Sequence, residues 1–175
     1  RGVASDPPDP ITQYTISPTG QSGEAVIRFD APPSHGPKSI VRCTIGTTSC
    51  GPPWNDLDPK GQHGVVKPIA GLTNGVREAV TLQECNGTHG TKGCDAPVSR
   101  YVTSYGPIGQ PTLELTRDWD SVDWKVSVDP NGRPATVTVS DDHGFQQSWT
   151  TGVDSWAMSG SHQVGYNVND TFTVT

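Results

Sequence analysis

Apolar and polar residues alternate with a period of two along most of this chain. The pattern runs through ITQYTIS (11–17), EAVIRFDA (24–31), KSIVRCTI (38–45), HGVVKPI (63–69), VREAVTLQEC (76–85) and PVSRYVTS (97–104). It resumes in TLELT (112–116), SVDWKVSV (121–128), PATVTVS (134–140), FQQSWTT (145–151), a weaker stretch over 154–158, and TFTVT (171–175). Side chains two apart share one face of a strand, so each run predicts a strand with one buried and one solvated face. Turn residues bound the runs, and short strands at near-regular spacing predict sandwiches.

Composition narrows the choice further. With 20 Gly and 16 Pro in 175 residues, long helices have nowhere to run. Hydrophobic residues make up 31% of the chain and mean hydropathy is −0.50, which is thin for one large core but enough for two flat two-layer domains. No stretch approaches 18 consecutive apolar residues and no charged-then-apolar leader opens at Arg1, so neither membrane insertion nor a retained signal peptide is expected.

The segment SYGPIGQP (104–111) punctuates the chain, and we place a linker at 106–111 between a domain at 8–105 and a second at 112–175. The two halves differ. The net charge of −6 lies in the second, whose residues 108–175 hold 3 Lys/Arg and 9 Asp/Glu. Cys43, Cys50, Cys85 and Cys94 all lie in the first, while Trp119, Trp124, Trp149 and Trp156 lie in the second. Four cysteines allow three pairings. The local bridges Cys43–Cys50 and Cys85–Cys94 are favoured, each worth about 2.5 kcal/mol through the short loop it closes. A shared zinc is the rival, but neither pair has the spacing of a structural zinc site. Disulfides point to an extracellular or cell-surface location. The sequons at Asn86 and Asn169 are triplets common by chance.

The halves also repeat each other. An apolar-x-aromatic strand (AVIRFDAPP, SVDWKVSVDP) is followed by a Gly/Pro turn and an alternating strand (IVRCTI, ATVTVS). Later a Gly/Asn turn leads into another (GLTNGVREAVTL, GYNVNDTFTVT). These elements resemble fibronectin type III domains. Phe29 and Trp124 match the strand-B aromatic, Leu72 and Gly75 the corner before strand F, and Val80 and Leu82 its inward positions. The resemblance implies an all-β chain of two tandem fibronectin type III-like, immunoglobulin-like sandwiches. The Gly- and Thr-rich wording is similar to that of bacterial, particularly actinobacterial, extracellular surface proteins. Two positions depart from the pattern. The corner tyrosine of strand F aligns with Glu78 and Phe172, and the second repeat spans about 65 residues where such sandwiches have about 100. Either its strand G is missing or its register is shifted. An immunoglobulin-type bridge would need Cys43 and Cys85, which alternation places out of phase.

Catalytic motifs are absent. The five histidines sit in Gly-, Ser- or Asp-rich contexts without metal-binding spacing, and the chain has no nucleophile elbow, phosphate loop or dinucleotide fingerprint. Asp118, Asp120 and Asp123, with Asp141 and Asp142, offer hard oxygen ligands to calcium, against the commoner reading of acidic turns, so no metal or cofactor is expected. The tryptophans are the functional lead. Trp124 is expected in the core and Trp119, between Asp118 and Asp120, at the surface; Trp149 and Trp156, seven apart, face opposite sides under strict alternation, which a turn or bulge at Gly152 would break. Trp119, Asp118, Asp120, Trp149 and Trp156 form the expected binding surface. Ser148–Trp149 and Ser155–Trp156 loosely resemble the paired Trp-Ser units of class I cytokine receptors.

The expected function is a non-enzymatic protein-binding or spacer tandem of a bacterial surface protein. It would engage a host protein, such as a cytokine or matrix component, that offers a basic surface. The alternative is a carbohydrate-binding accessory module of a polysaccharide-degrading enzyme, with a glycan as partner. The acidic second half disfavours nucleic acid.

Overall fold

The alternating runs fold as strands, and their pairing is antiparallel throughout, as one-sided burial requires. The computed structural model describes residues 6–87, 93–166 and 168–175. The chain divides into two units, Arg1–Tyr105 and Gly106–Thr175. The first contains β1 (Thr12–Pro18), β2 (Ala25–Ala31), β3 (Ser39–Ile45), β4 (Thr48–Ser49), β5 (Trp54–Leu57), β6 (Gln62–Ile69), β7 (Arg77–Cys85) and β8 (Val98–Thr103). The second contains β9 (Thr112–Asp118), β10 (Ser121–Val128), β11 (Thr136–Asp141), β12 (Gln146–Thr150), β13 (Trp156–Gln163) and β14 (Phe172–Val174).

In the first unit a sheet ordered β1-β2-β6 packs on one ordered β4-β3-β7-β8, with β5 also paired to β3. The second repeats this plan with β9-β10-β13 and β12-β11-β14. The chain is thus all-β, with two tandem sandwiches of fibronectin type III-like strand order, and in the second β14 borders its sheet. The strand with the strongest alternation shows why. In β2, Ala25, Ile27, Phe29 and Ala31 are buried while Arg28 faces water, and they meet Val41, Val80 and Leu82 of the opposing sheet. Burying a side chain such as Ile27 or Phe29 contributes about 1.5–3 kcal/mol. Between the sheets, the Tyr14 hydroxyl donates to the Val80 carbonyl at 2.9 Å.

Both local disulfides form, Cys43–Cys50 and Cys85–Cys94. Cys43 and Cys85 lie on the neighbouring strands β3 and β7 of one sheet, so an inter-sheet bridge between them has no geometry. Glu78 replaces the corner tyrosine, and its Oε2 accepts from the Thr73 N–H at 2.7 Å. Asn86 is fully buried and its amide donates to the Asp6 carbonyl, which removes this sequon as a surface site. His89 lies outside the described residues.

The second unit departs from expectation in two places. Residues 156–158 of the weak stretch over 154–158 open β13, an eight-residue strand paired with β10 along its whole length. Its inward position opposite Trp124 is Gly160, where an added Cβ would stand 2.4 Å from the indole. The alternation is lost beyond Met158 because Gly160 leaves its inward place to the partner's ring. The segment expected as a linker is bonded into this unit: Gly106 N–H donates to the Asn131 carbonyl and Gly109 N–H to that of Asp129.

Candidate functional site

The β9–β10 hairpin turns in two residues, Trp119 and Asp120, between the paired Asp118 and Ser121. Trp119 has φ +34°, a sign that two-residue hairpins need and that Gly, Asn or Asp normally supplies. Its indole is 79% exposed. A bulky residue held at positive φ and offered to solvent is a local cost that the surrounding structure must sustain.

That support is visible. Tyr166, 69% exposed, packs edge-on against Trp119 with ring centroids 5.7 Å apart. The loop carrying Tyr166 is clamped from below by Arg117, which donates to the Gly165 and Val168 carbonyls at 2.8 and 3.0 Å. The Asp120 carbonyl accepts from the Val164 and Gly165 N–H groups, and its carboxylate accepts from Gln163. Arg117, Trp119, Tyr166, Val168 and Asn169 line a shallow cleft of about 320 Å³. Asp118 is exposed at its edge. The aromatic pair is therefore a presented surface on a braced loop.

Sequence reasoning placed Trp119 and Asp118 here and missed Tyr166 and Arg117. The signal was a tyrosine in a Gly/Asn-rich turn, where alternation gives it no buried role. The oxygens of Asp120 hold the loop. Between Trp149 and Trp156 the strand breaks at residues 151–155, around Gly152, so strict alternation does not apply. Both are half-buried, Trp149 packing on Trp124 at 5.3 Å and Trp156 on Trp149 at 5.9 Å. The five residues between β12 and β13 carry the chain from one sheet to the other, so alternation restarts and both indoles turn inward. Of Trp119, Trp149 and Trp156, Trp119 is the one exposed rather than packed on the core.

A second cluster lies where the β11–β12 turn, the end of β13 and the approach to β14 converge. Asp141 and His162 approach at 3.3 Å (Oδ2 to Nε2), and His143 Nδ1 lies 2.8 Å from Asp142 Oδ1 and 3.1 Å from Asp170 Oδ1. The Thr171 N–H, with Asp170 beside it, holds the Asp142 carboxyl down to about 2. Burial, then the neighbouring carboxyls, push Asp170 above the usual range. Asp118, Asp120 and Asp123 are not among the described residues that could share an ion, whereas Asp141 and Asp142 are.

No protein-family model and no curated protein matches this chain. Among solved structures it is similar to a two fibronectin type-III domain segment from chicken tenascin. The two are 12% identical, the alignment covers 94% of this chain and 98% of that one, and the TM-score is 0.47. The fold assignment rests on strand order and register rather than on this likeness. Among the described residues no helix is long and apolar enough to cross a membrane.

Proposed function

We propose that the chain is a non-catalytic interaction module whose second unit binds a protein partner through the Trp119–Tyr166 surface. The observation that carries this reading is Trp119 itself: a residue 79% exposed, at φ +34°, on a hairpin whose Arg117 and Asp120 are hydrogen-bonded to the loop of Tyr166. Exposed aromatics on rigid supports are the residues that dominate protein interfaces, because they bury large area with little loss of conformational freedom. The net charge of −6 falls in this unit, which supports a partner with a basic surface and an association rate that falls with salt. Two disulfides support an extracellular setting. A bacterial cell surface and a host protein as partner belong to the same proposal, supported by the Gly- and Thr-rich wording of the sequence.

A sugar ligand is the second reading, favoured by the cleft between the two rings. One experiment separates them. The immobilised full chain is exposed to extracellular host proteins and to a glycan array, beside a Trp119→Ala/Tyr166→Ala variant. The expected result is a protein retained by the wild type, released by salt and not retained by the variant. Equal retention by both overturns the site, and variant-sensitive glycan binding transfers it to carbohydrate.

A further inference from the structure

We infer that the second unit carries a binding site for a divalent transition-metal ion of the zinc class, with Asp141, His162 and Asp170 as its ligands. The inference is independent of the Trp119 surface. Each of the three offers one ligand atom within 4.8 Å of the others, and each comes from a different segment: the end of β11, the end of β13 and the approach to β14.

Acidic turns commonly cluster carboxylates, so proximity alone assigns nothing. What distinguishes this cluster is one oxygen. The Asp141 side chain is 0% exposed. Its Oδ1 accepts from the N–H groups of His143 and Phe145 at 3.0 and 2.6 Å, which fully accounts for its role in the turn. Its Oδ2 is buried and has no hydrogen-bond partner. A buried carboxylate oxygen left without a donor costs free energy that a native structure normally recovers through water, a proton or an ion.

The atom nearest in charge is His162 Nε2, 3.3 Å away but not in hydrogen-bond geometry. Two ligands of one tetrahedral zinc, bound at about 2.0–2.2 Å, stand about 3.3–3.5 Å apart and point at the ion rather than at each other. The His162 ring is fixed in that attitude by stacking on Phe145 at 4.1 Å and by the edge of Phe172. Asp170 is 2% exposed and is oriented by His143 Nδ1 at 3.1 Å. The two carboxylates are therefore buried, His162 is part-exposed at 27%, and all three are held before any ion arrives.

Donor chemistry selects the class of ion. An imidazole nitrogen with carboxylate oxygens suits zinc and its transition-metal neighbours, whereas calcium and magnesium are bound through oxygen alone. The ion would also have a structural effect. β13 belongs to one sheet and β11 and β14 to the other, so it would tie the two sheets together. The first unit has two disulfides for its stability, and the second contains no cysteine. Small domains with modest cores commonly rely on such a staple.

The test uses the full chain stripped with chelator and titrated with zinc chloride alone, then with calcium and magnesium. The expected result is one zinc per chain, with little response to calcium or magnesium. The melting transition of the second unit, which holds four of the five tryptophans, should rise by about 10 °C or more at zinc one hundred times the dissociation constant. Asp141→Asn, which keeps the turn's Oδ1 acceptor, and His162→Gln should each weaken zinc at least about tenfold. His63→Gln, whose ring pairs with Asp30 in the first unit, should leave it unchanged. Should either site variant fail to fold, ring resonances of the wild type decide: His162 shifts on zinc addition and His35 and His63 do not. Absence of stoichiometric zinc, affinity unmoved by both site variants, calcium binding as tight as zinc, or an unshifted His162 overturns the site.

Discussion

At the scale of single residues, backbone and side chain make opposite demands at Trp119, and that opposition can be measured. Ordinarily Ala is more favourable than Gly, because Gly loses more conformational freedom on folding. At φ +34° the order inverts, since a Cβ in the left-handed region costs roughly 1–2 kcal/mol. Trp119→Gly is therefore expected to be more stable than Trp119→Ala by about 1 kcal/mol, read from denaturant midpoints of the second unit. Both variants lose the contact with Tyr166 equally, so their difference isolates the backbone. Equal stabilities would mean that Trp119 bears no strain, and a main support for reading it as a presented contact would go. Glu78 shows the other side of the residue scale. A departure from the usual corner residue was legible in the sequence, but not its remedy, because a carboxylate accepting from the Thr73 N–H depends on a loop path that no local pattern encodes.

At the scale of elements, what could be read was what alternation writes. β2, β3, β7 and β10 bury every second residue, and each was visible as a period of two. β4 and β5 were not, because strands of two and four residues are too short to show a period. β13 was seen only in part because its code is held by its neighbour: Gly160 is small so that Trp124 can be large. Gly160→Ala places a methyl where the indole already stands and should destabilise the second unit by about 1–3 kcal/mol. The loss should appear in its tryptophan fluorescence melt, while the first unit's transition stays where it was. A compensating Trp124→Leu in the same chain should recover part of that loss, and failure to recover any would show that the cost lies in the backbone rather than in packing. For Trp149 and Trp156, Gly152 marked a break between them but not the face to which the second strand would turn. Alternation carries facing information along one strand, and the crossing between β12 and β13 erases it.

At the scale of the whole molecule, the two units should respond to pH separately, and the first has a specific cause for doing so. Asp95 follows the Cys85–Cys94 bridge and is almost fully buried. Its Oδ1 accepts from the Glu84 N–H at 3.0 Å, while its Oδ2 has no partner. Burial pushes its carboxyl up to about 7; the N–H groups of Glu84 and Ile11 oppose this and the nearby Glu84 carboxylate adds to it. Glu84 is itself raised by burial, against the hydroxyl of Ser39 and the charge of His35. A carboxyl raised in the folded state binds its proton more tightly there than in the unfolded chain. Stability is then fully present below the unfolded value of 3.8 and declines as pH climbs to about 7. The first unit's melting temperature should accordingly fall between pH 4.5 and pH 7.5, the reverse of the trend for salt-bridged carboxylates. Asp95→Asn preserves the acceptor for Glu84 and removes the ionisation, so most of the fall should vanish, and adding Glu84→Gln should remove the remainder. Calorimetry of the full chain checks this directly. A double variant that keeps the wild-type slope would place the pH dependence elsewhere and leave the buried carboxyls as inert polar groups.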